Sequence, residues 1–141
     1  MKNENGFSLV ELLIAITLLA IGLLAVAGMQ STAISSNAWA NRLSTATSLA
    51  QEVMEDILAK DATDAIFSSS TSNVTYDLTG PNTTGNNISI SGAGTFSATR
   101  TITINSSCST PTVTVTGVVK IDVSVTDGTR TVTLTSCKRV T

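Results

Sequence analysis

Residues 6–30 read GFSLVELLIAITLLAIGLLAVAGMQ, an apolar stretch in which Glu11 is the only ionisable side chain. As an α-helix, residues 7–29 would extend about 35 Å, longer than the roughly 30 Å hydrocarbon core of a bilayer. We therefore predict a membrane-spanning helix at the N-terminal end of the chain. A carboxylate at that depth costs about 2.5–3.5 kcal/mol on insertion scales, so we expect Glu11 to have a dedicated partner.

Two ordinary interpretations of this stretch remain open. A cleaved secretory signal has a basic start, an apolar core of about 7–15 residues and a small-residue cleavage site. The apolar run here is longer and contains Glu11, although Ala25-Val26-Ala27 is a late site of the right type. An uncleaved signal anchor fits the length but leaves Glu11 unexplained.

The residues around Glu11 resemble a known processing site. Residues 6–11, GFSLVE, are similar to the site cut in type IV prepilins and pseudopilins. The resemblance implies that a prepilin peptidase cleaves after Gly6 and N-methylates Phe7, which makes Glu11 the fifth residue of the mature chain. The new ammonium group on Phe7 lies one helical turn from Glu11. In a bundle, the carboxylate of one subunit can therefore meet the amine of its neighbour and set their axial register.

The leader before the expected cleavage site departs from the family pattern, because Lys2 is its only basic residue and Glu4 offsets that charge.

The resemblance also implies a fold class and a division of the chain. The implied fold class is α+β, the type IV pilin fold, in which one long N-terminal helix packs on an antiparallel β-sheet. The expected parts are a leader (1–6), a transmembrane and assembly half of the helix (7–29), an amphipathic half (30–59), and a sheet domain (60–141).

The residues support a long helix independently of the resemblance. Spacings of three and four continue past the predicted span, and no proline occurs between Phe7 and Lys60. We therefore predict one helix over 7–59, apolar all round in its first half and amphipathic in its second. Its packing face would carry Trp39, Leu43, Ala46, Ala50, Val53 and Ile57. The acidic residues Glu52, Glu55 and Asp56 are expected on a solvated face, with a contact to a partner pilin as the alternative.

Alternating apolar residues predict a sheet after the helix. Short strands are expected near 73–78, 87–91 and 95–105, and a hairpin over 119–135 has the clearest alternation. Asp127-Gly128 suggests a two-residue turn, which would pair Val123 with Val132 and Ile121 with Leu134.

The two cysteines, Cys108 and Cys137, both lie in the part expected outside the cytoplasm. An oxidising compartment makes a disulfide between them the expected state, with two free thiols as the alternative. Because the closed loop is about 30 residues long, the disulfide would contribute roughly 3–4 kcal/mol in a chain-entropy estimate.

Composition argues against several classes of function. The chain has no histidine, and its serines lie in neither a GxSxG nor an SxxK motif. Phosphate-binding glycine loops and a CxxC pair are also absent, and the formal net charge of −2 with scattered Lys and Arg gives no nucleic-acid footprint. We therefore expect no enzyme, no cofactor, no metal and no nucleic-acid partner.

Finer similarities point within the pilin-like family. Residues 18–30, LLAIGLLAVAGMQ, and 123–134, VSVTDGTRTVTL, resemble PilV-type minor pilins, which have glycine rather than proline near Gly28. The resemblance implies a minor pilin of a type IV pilus whose partners are other pilins, the prepilin peptidase and the inner-membrane assembly platform. It would cross the inner membrane once, with its C-terminal domain in the periplasm, and reach the cell surface after assembly. Alternatives are a GspI-like minor pseudopilin of a type II secretion system, a major pilin, and a signal-anchored periplasmic domain.

Overall fold

The computed structural model describes residues 8–79, 87–106, 108 and 115–140. It has one long helix, a 3-10 turn and five strands. The bounds are α1 Leu9–Ala59, the 3-10 turn Ala65–Phe67, β1 Thr71–Tyr76, β2 Asn87–Ile90, β3 Gly94–Ile104, β4 Val118–Thr126 and β5 Thr131–Arg139. The helix ends at Ala59, where the sequence predicts. The first three strands, β1 to β3, begin and end within two residues of their expected positions. The α+β prediction of a long apolar helix packed on an antiparallel sheet is confirmed.

The chain divides into two compact units, residues 1–39 and 40–141, and α1 contributes to both. In the first unit the described side chains are exposed, including the large apolar ones between Leu9 and Ile34. By length and composition this part of α1 can cross a membrane. So much contiguous apolar surface is not stable against water, so it requires lipid or other protein helices around it.

In the second unit, β3 is the central strand. The sheet order is β1-β3-β4-β5, and β2 also pairs with β3. Residues 98–102 of β3 pair with β1, whereas residues 94–97 pair with β2, so these two short strands lie end to end along one side of it. Every pairing is antiparallel, and β5 is an edge strand.

The core lies between one face of the sheet and the second half of α1. On β4 the inward residues Val119, Ile121, Val123 and Val125 are all fully buried, as their alternation predicts. Helix residues Ala46, Ala50, Val53 and Ile57 are buried against them, together with Leu49 and Met54. The core therefore combines a period of two on the strands with a helical period on α1.

Two members of the predicted packing face are not in the core. Trp39 is 45% exposed and Leu43 is 41% exposed, so the prediction is wrong for both. Periodicity shows which face of a helix is apolar, but it does not show where along the helix the sheet begins to cover that face. Burial begins at Ala46. About one turn earlier, Asn41 Nδ2 donates a hydrogen bond to the carbonyl of Gly92 at 3.2 Å.

The register of the C-terminal hairpin also differs from the prediction. Val123 pairs with Leu134 and Val125 with Val132, because the loop has four residues, Asp127–Arg130, rather than two. Asp127 closes this loop, since its Oδ1 accepts from the N–H groups of Thr129 at 2.9 Å and Arg130 at 2.8 Å. The difference in register is two residues, which leaves every side chain on its predicted face.

The Asp127 loop makes the stability of the hairpin sensitive to acid. The N–H groups of Thr129 and Arg130 hold the pKa of Asp127 below its ordinary value. A carboxyl group with a lowered folded-state pKa stabilises the fold above its unfolded pKa, near 3.8, and this contribution is lost as pH falls through the lower folded value. We expect Asp127→Asn to flatten the dependence of the melting temperature on pH between about 5 and 2. Thermal melts of the full chain would test this, with the exposed Glu55→Gln as the control for the loss of one charge. An unchanged pH profile in Asp127→Asn would contradict the role of Asp127.

Candidate assembly site

Glu11 lies in the first turn of α1. Its N–H donates to the carbonyl of Ser8 at 3.0 Å, and the N–H of Leu12 shares this acceptor at 3.2 Å. Glu11 is exposed, and so are the apolar side chains on either side of it. A carboxylate in this position interacts favourably with the N-terminal end of the helix dipole.

Glu11 is the only ionisable residue between residues 6 and 41 of the sequence. The threonines of this part of the helix satisfy their hydroxyl groups locally, since Thr17 Oγ1 donates to the carbonyl of Ile14 at 2.8 Å and Thr32 Oγ1 to that of Gly28 at 3.2 Å. The Glu11 carboxylate can only accept hydrogen bonds. In lipid or in a helix bundle it therefore calls for a donor, and best for a cation.

Two glycines give the same helix close-approach surfaces. A Cβ atom added at Gly22 or Gly28 would meet no atom within 4 Å. Such positions let another helix come near the backbone, which is how helices associate where water does not drive burial. The first unit thus combines one carboxylate that needs a partner with an apolar surface suited to helix packing.

The other predicted site residues are the processing site and the two cysteines. Gly6 and Phe7, the expected cleavage site and methylated terminus, lie outside the described residues. Cys108 and Cys137 form a disulfide with Cα atoms 5.8 Å apart, which fits the expected pairing. Within the part of the chain that the structure describes, no three His, Cys, Asp or Glu side chains are grouped so as to hold a metal ion.

Sequence reasoning missed a contact between the acidic face of α1 and the sheet. Glu52, Glu55 and Asp56 are exposed as expected, but Asp56 also accepts a hydrogen bond from the Tyr76 hydroxyl and lies 3.8 Å from Lys60 Nζ. Partial burial and the hydrogen bond to Asp56 raise the pKa of Tyr76 to about 12. The hydroxyl therefore remains a donor at ordinary pH and ties β1 to the helix.

A second missed contact is at the C-terminal end of α1. Lys138 Nζ donates to the carbonyl of Leu58 at 2.7 Å and to that of Lys60. It also lies 5.0 Å from the centroid of the buried Phe67 ring. The last carbonyls of a helix have no partner within the helix, so this lysine from β5 satisfies acceptors that would otherwise need water.

These features fit a membrane-anchored protein with an exposed apolar N-terminal helix and a helix-on-sheet domain. Comparison with known families adds one match, in which residues 1–27 fit the model of the prokaryotic N-terminal methylation motif. The match supports a type IV pilin-like family, whose members are structural subunits, and implies processing by prepilin peptidase and association with pilin assembly machinery at a membrane. Neither a curated protein nor a solved structure matches the chain.

Proposed function

We propose that this chain is a minor subunit of a type IV pilus, incorporated into the filament or priming its assembly. Prepilin peptidase would cut after Gly6 and methylate Phe7 before the subunit leaves the inner membrane. The observation that carries the proposal is the position of Glu11, exposed in the first turn of α1, in a stretch with no other charged residue before Arg42 and within the segment that matches the methylation motif.

The proposed mechanism is structural. Before assembly, the first unit lies in the inner membrane and the second in the periplasm. On assembly, the apolar surface of α1 exchanges lipid for neighbouring helices, and Gly22 and Gly28 allow close packing. Glu11 pairs with the amine of a neighbouring subunit, which compensates a desolvated charge and specifies one axial position. The sheet unit remains available at the filament surface.

A minor pseudopilin of a type II secretion system would use the same motif and the same contact. We favour the pilus because residues 18–30 and 123–134 resemble PilV-type minor pilins. Purified sheared pili separate these assignments. A minor pilin is present there in a small ratio to the main subunit, a major pilin is the bulk of the material, and a secretion pseudopilin is absent.

Processing is tested by the intact mass of the protein from a host with and without prepilin peptidase. With the peptidase, we expect a chain that has lost residues 1–6 and carries one methyl group on Phe7. Without it, the full-length chain should remain. Gly6→Leu is the matched control and should remain full-length in both hosts. A chain cut after Ala27, or one uncut in the presence of the peptidase, would contradict the pilin assignment in favour of a secretory signal or a signal anchor.

A further inference from the structure

The C-terminal end of β5 is held on both of its faces. β5 is an edge strand, and its last pairs are Cys137 with Lys120, Lys138 with Val119 and Arg139 with Val118. One further backbone hydrogen bond follows, from the N–H of Val140 to the carbonyl of Gly117 at 2.9 Å. Edge strands open locally at low free-energy cost unless something else holds them. Two side chains supply this, because Cys137 and Lys138 are consecutive and so point to opposite faces.

On the outer face, the disulfide joins Cys137 to Cys108. Two positions before Cys108, the N–H of Ser106 donates to the carbonyl of Val118 at 3.2 Å, and Ser106 is buried. The cross-link therefore connects the end of β5 to a position two residues from one that is hydrogen-bonded to β4.

On the inner face, Lys138 reaches the end of α1. Its ammonium group binds the carbonyls of Leu58 and Lys60 and lies over the ring of Phe67. Positive charge is favourable at the C-terminal end of a helix, and no basic residue of α1 itself occupies its last turn. The end of the helix thus depends on a donor that comes from the edge strand.

We propose that the Cys108–Cys137 disulfide is a redox-sensitive lock on the last turn of α1, acting through Lys138. With the disulfide closed, Cys137 cannot move away from Cys108, and the adjacent Lys138 stays on the carbonyls of Leu58 and Lys60. With the disulfide open, the end of β5 frays, Lys138 withdraws, and the last turn of α1 loses its cap. The oxidation state of the compartment then determines how firmly the helix is fastened to the sheet.

The chemistry of opening is ordinary thiol–disulfide exchange with a dithiol reductant. A thiolate of the reductant attacks one cysteine sulfur, the S–S bond breaks, and a mixed disulfide forms. The second thiol of the reductant resolves it, so the two cysteines gain two electrons and two protons while the reductant becomes a disulfide.

The test is amide hydrogen exchange of the full chain in detergent micelles, oxidised or reduced with dithiothreitol. In the wild type, reduction should speed exchange in residues 56–60 by at least about fivefold, because the last turn opens locally. In Lys138→Met, which keeps the apolar stem but removes the donor, the oxidised protein should already exchange fast there and reduction should add little. The neighbouring Arg139→Met is the matched control and should respond to reduction as the wild type does. Amides of residues 99–103 in the central strand should stay protected throughout.

Three results would overturn the lock. Unchanged exchange at 56–60 on reduction would show that the disulfide does not reach the helix. An equal effect of reduction in Lys138→Met and wild type would show that it does not act through Lys138. Simultaneous loss of protection at 99–103 would show that reduction unfolds the whole unit rather than its edge. A Cys108→Ser, Cys137→Ser double variant reports the open state without reductant, and dithiothreitol should leave it unchanged.

Discussion

Glu11→Ala is expected to leave membrane insertion intact and to reduce incorporation into filaments by more than about tenfold. Insertion should not suffer, because the substitution removes a charge that costs about 2.5–3.5 kcal/mol at membrane depth. Assembly should suffer, because the amine of a neighbouring subunit would then enter an apolar bundle without its counter-charge. Breaking one side of a buried pair typically costs about 3–5 kcal/mol, which exceeds the 1.4 kcal/mol equivalent to a tenfold change.

Incorporation would be measured as the amount of this chain in sheared filaments relative to the amount in the membrane fraction. Glu11→Gln keeps the size of the side chain and an acceptor but loses the charge, so it should fall between alanine and the wild type. Thr17→Ala lies on the same helix and removes only a hydroxyl group bonded to its own backbone, which makes it the control. Incorporation of Glu11→Ala at the wild-type level would exclude the register role and favour a simple anchor.

Features that depend on local periodicity could be predicted from the sequence. The end of α1, the strand positions and the inward residues of β4 follow from the spacing of apolar residues, which repeat every 3.6 residues in a helix and every two residues in a strand. Glu11 also stands out locally, since one charge in an apolar run is an anomaly that does not need a structure to be noticed. The corresponding prediction for Leu43 is wrong because the same spacing continues beyond the region that the sheet covers.

Contacts between distant parts of the chain could not be predicted in this way. Lys138 and Leu58 are 80 positions apart, and Tyr76 and Asp56 are 20 apart, so no repeat relates them. The predicted register of the hairpin is wrong for a different reason. Asp127-Gly128 is typical of a two-residue turn, but the Asp127 carboxylate accepts from two later N–H groups and so stabilises a four-residue loop. The side-chain hydrogen bonds of the turn outweighed the preference of the dipeptide.

Phe96 is the largest fully buried side chain among the described residues. It lies on β3 opposite Ile88 of β2 and belongs to the core that includes the buried residues of α1. Among the described strands, β2 has four residues and pairs with β3 alone, so the ring is an important part of the core at that end of the sheet. Its removal therefore leaves a cavity in this core.

Phe96→Ala is expected to lower the free energy of unfolding by about 3–5 kcal/mol, a large part of the total stability of a small domain. The measurement is pulse proteolysis of the full chain in detergent across a urea series, which reports the fraction unfolded without relying on Trp39 of the first unit. Val74→Ala is the control, because Val74 is an apolar strand residue that is 36% exposed and its truncation should cost less than about 1 kcal/mol. Membrane insertion of Phe96→Ala should be normal, since the spanning part of α1 is unchanged. A loss of stability no greater than that of Val74→Ala would mean that the helix and sheet are not held together by this core.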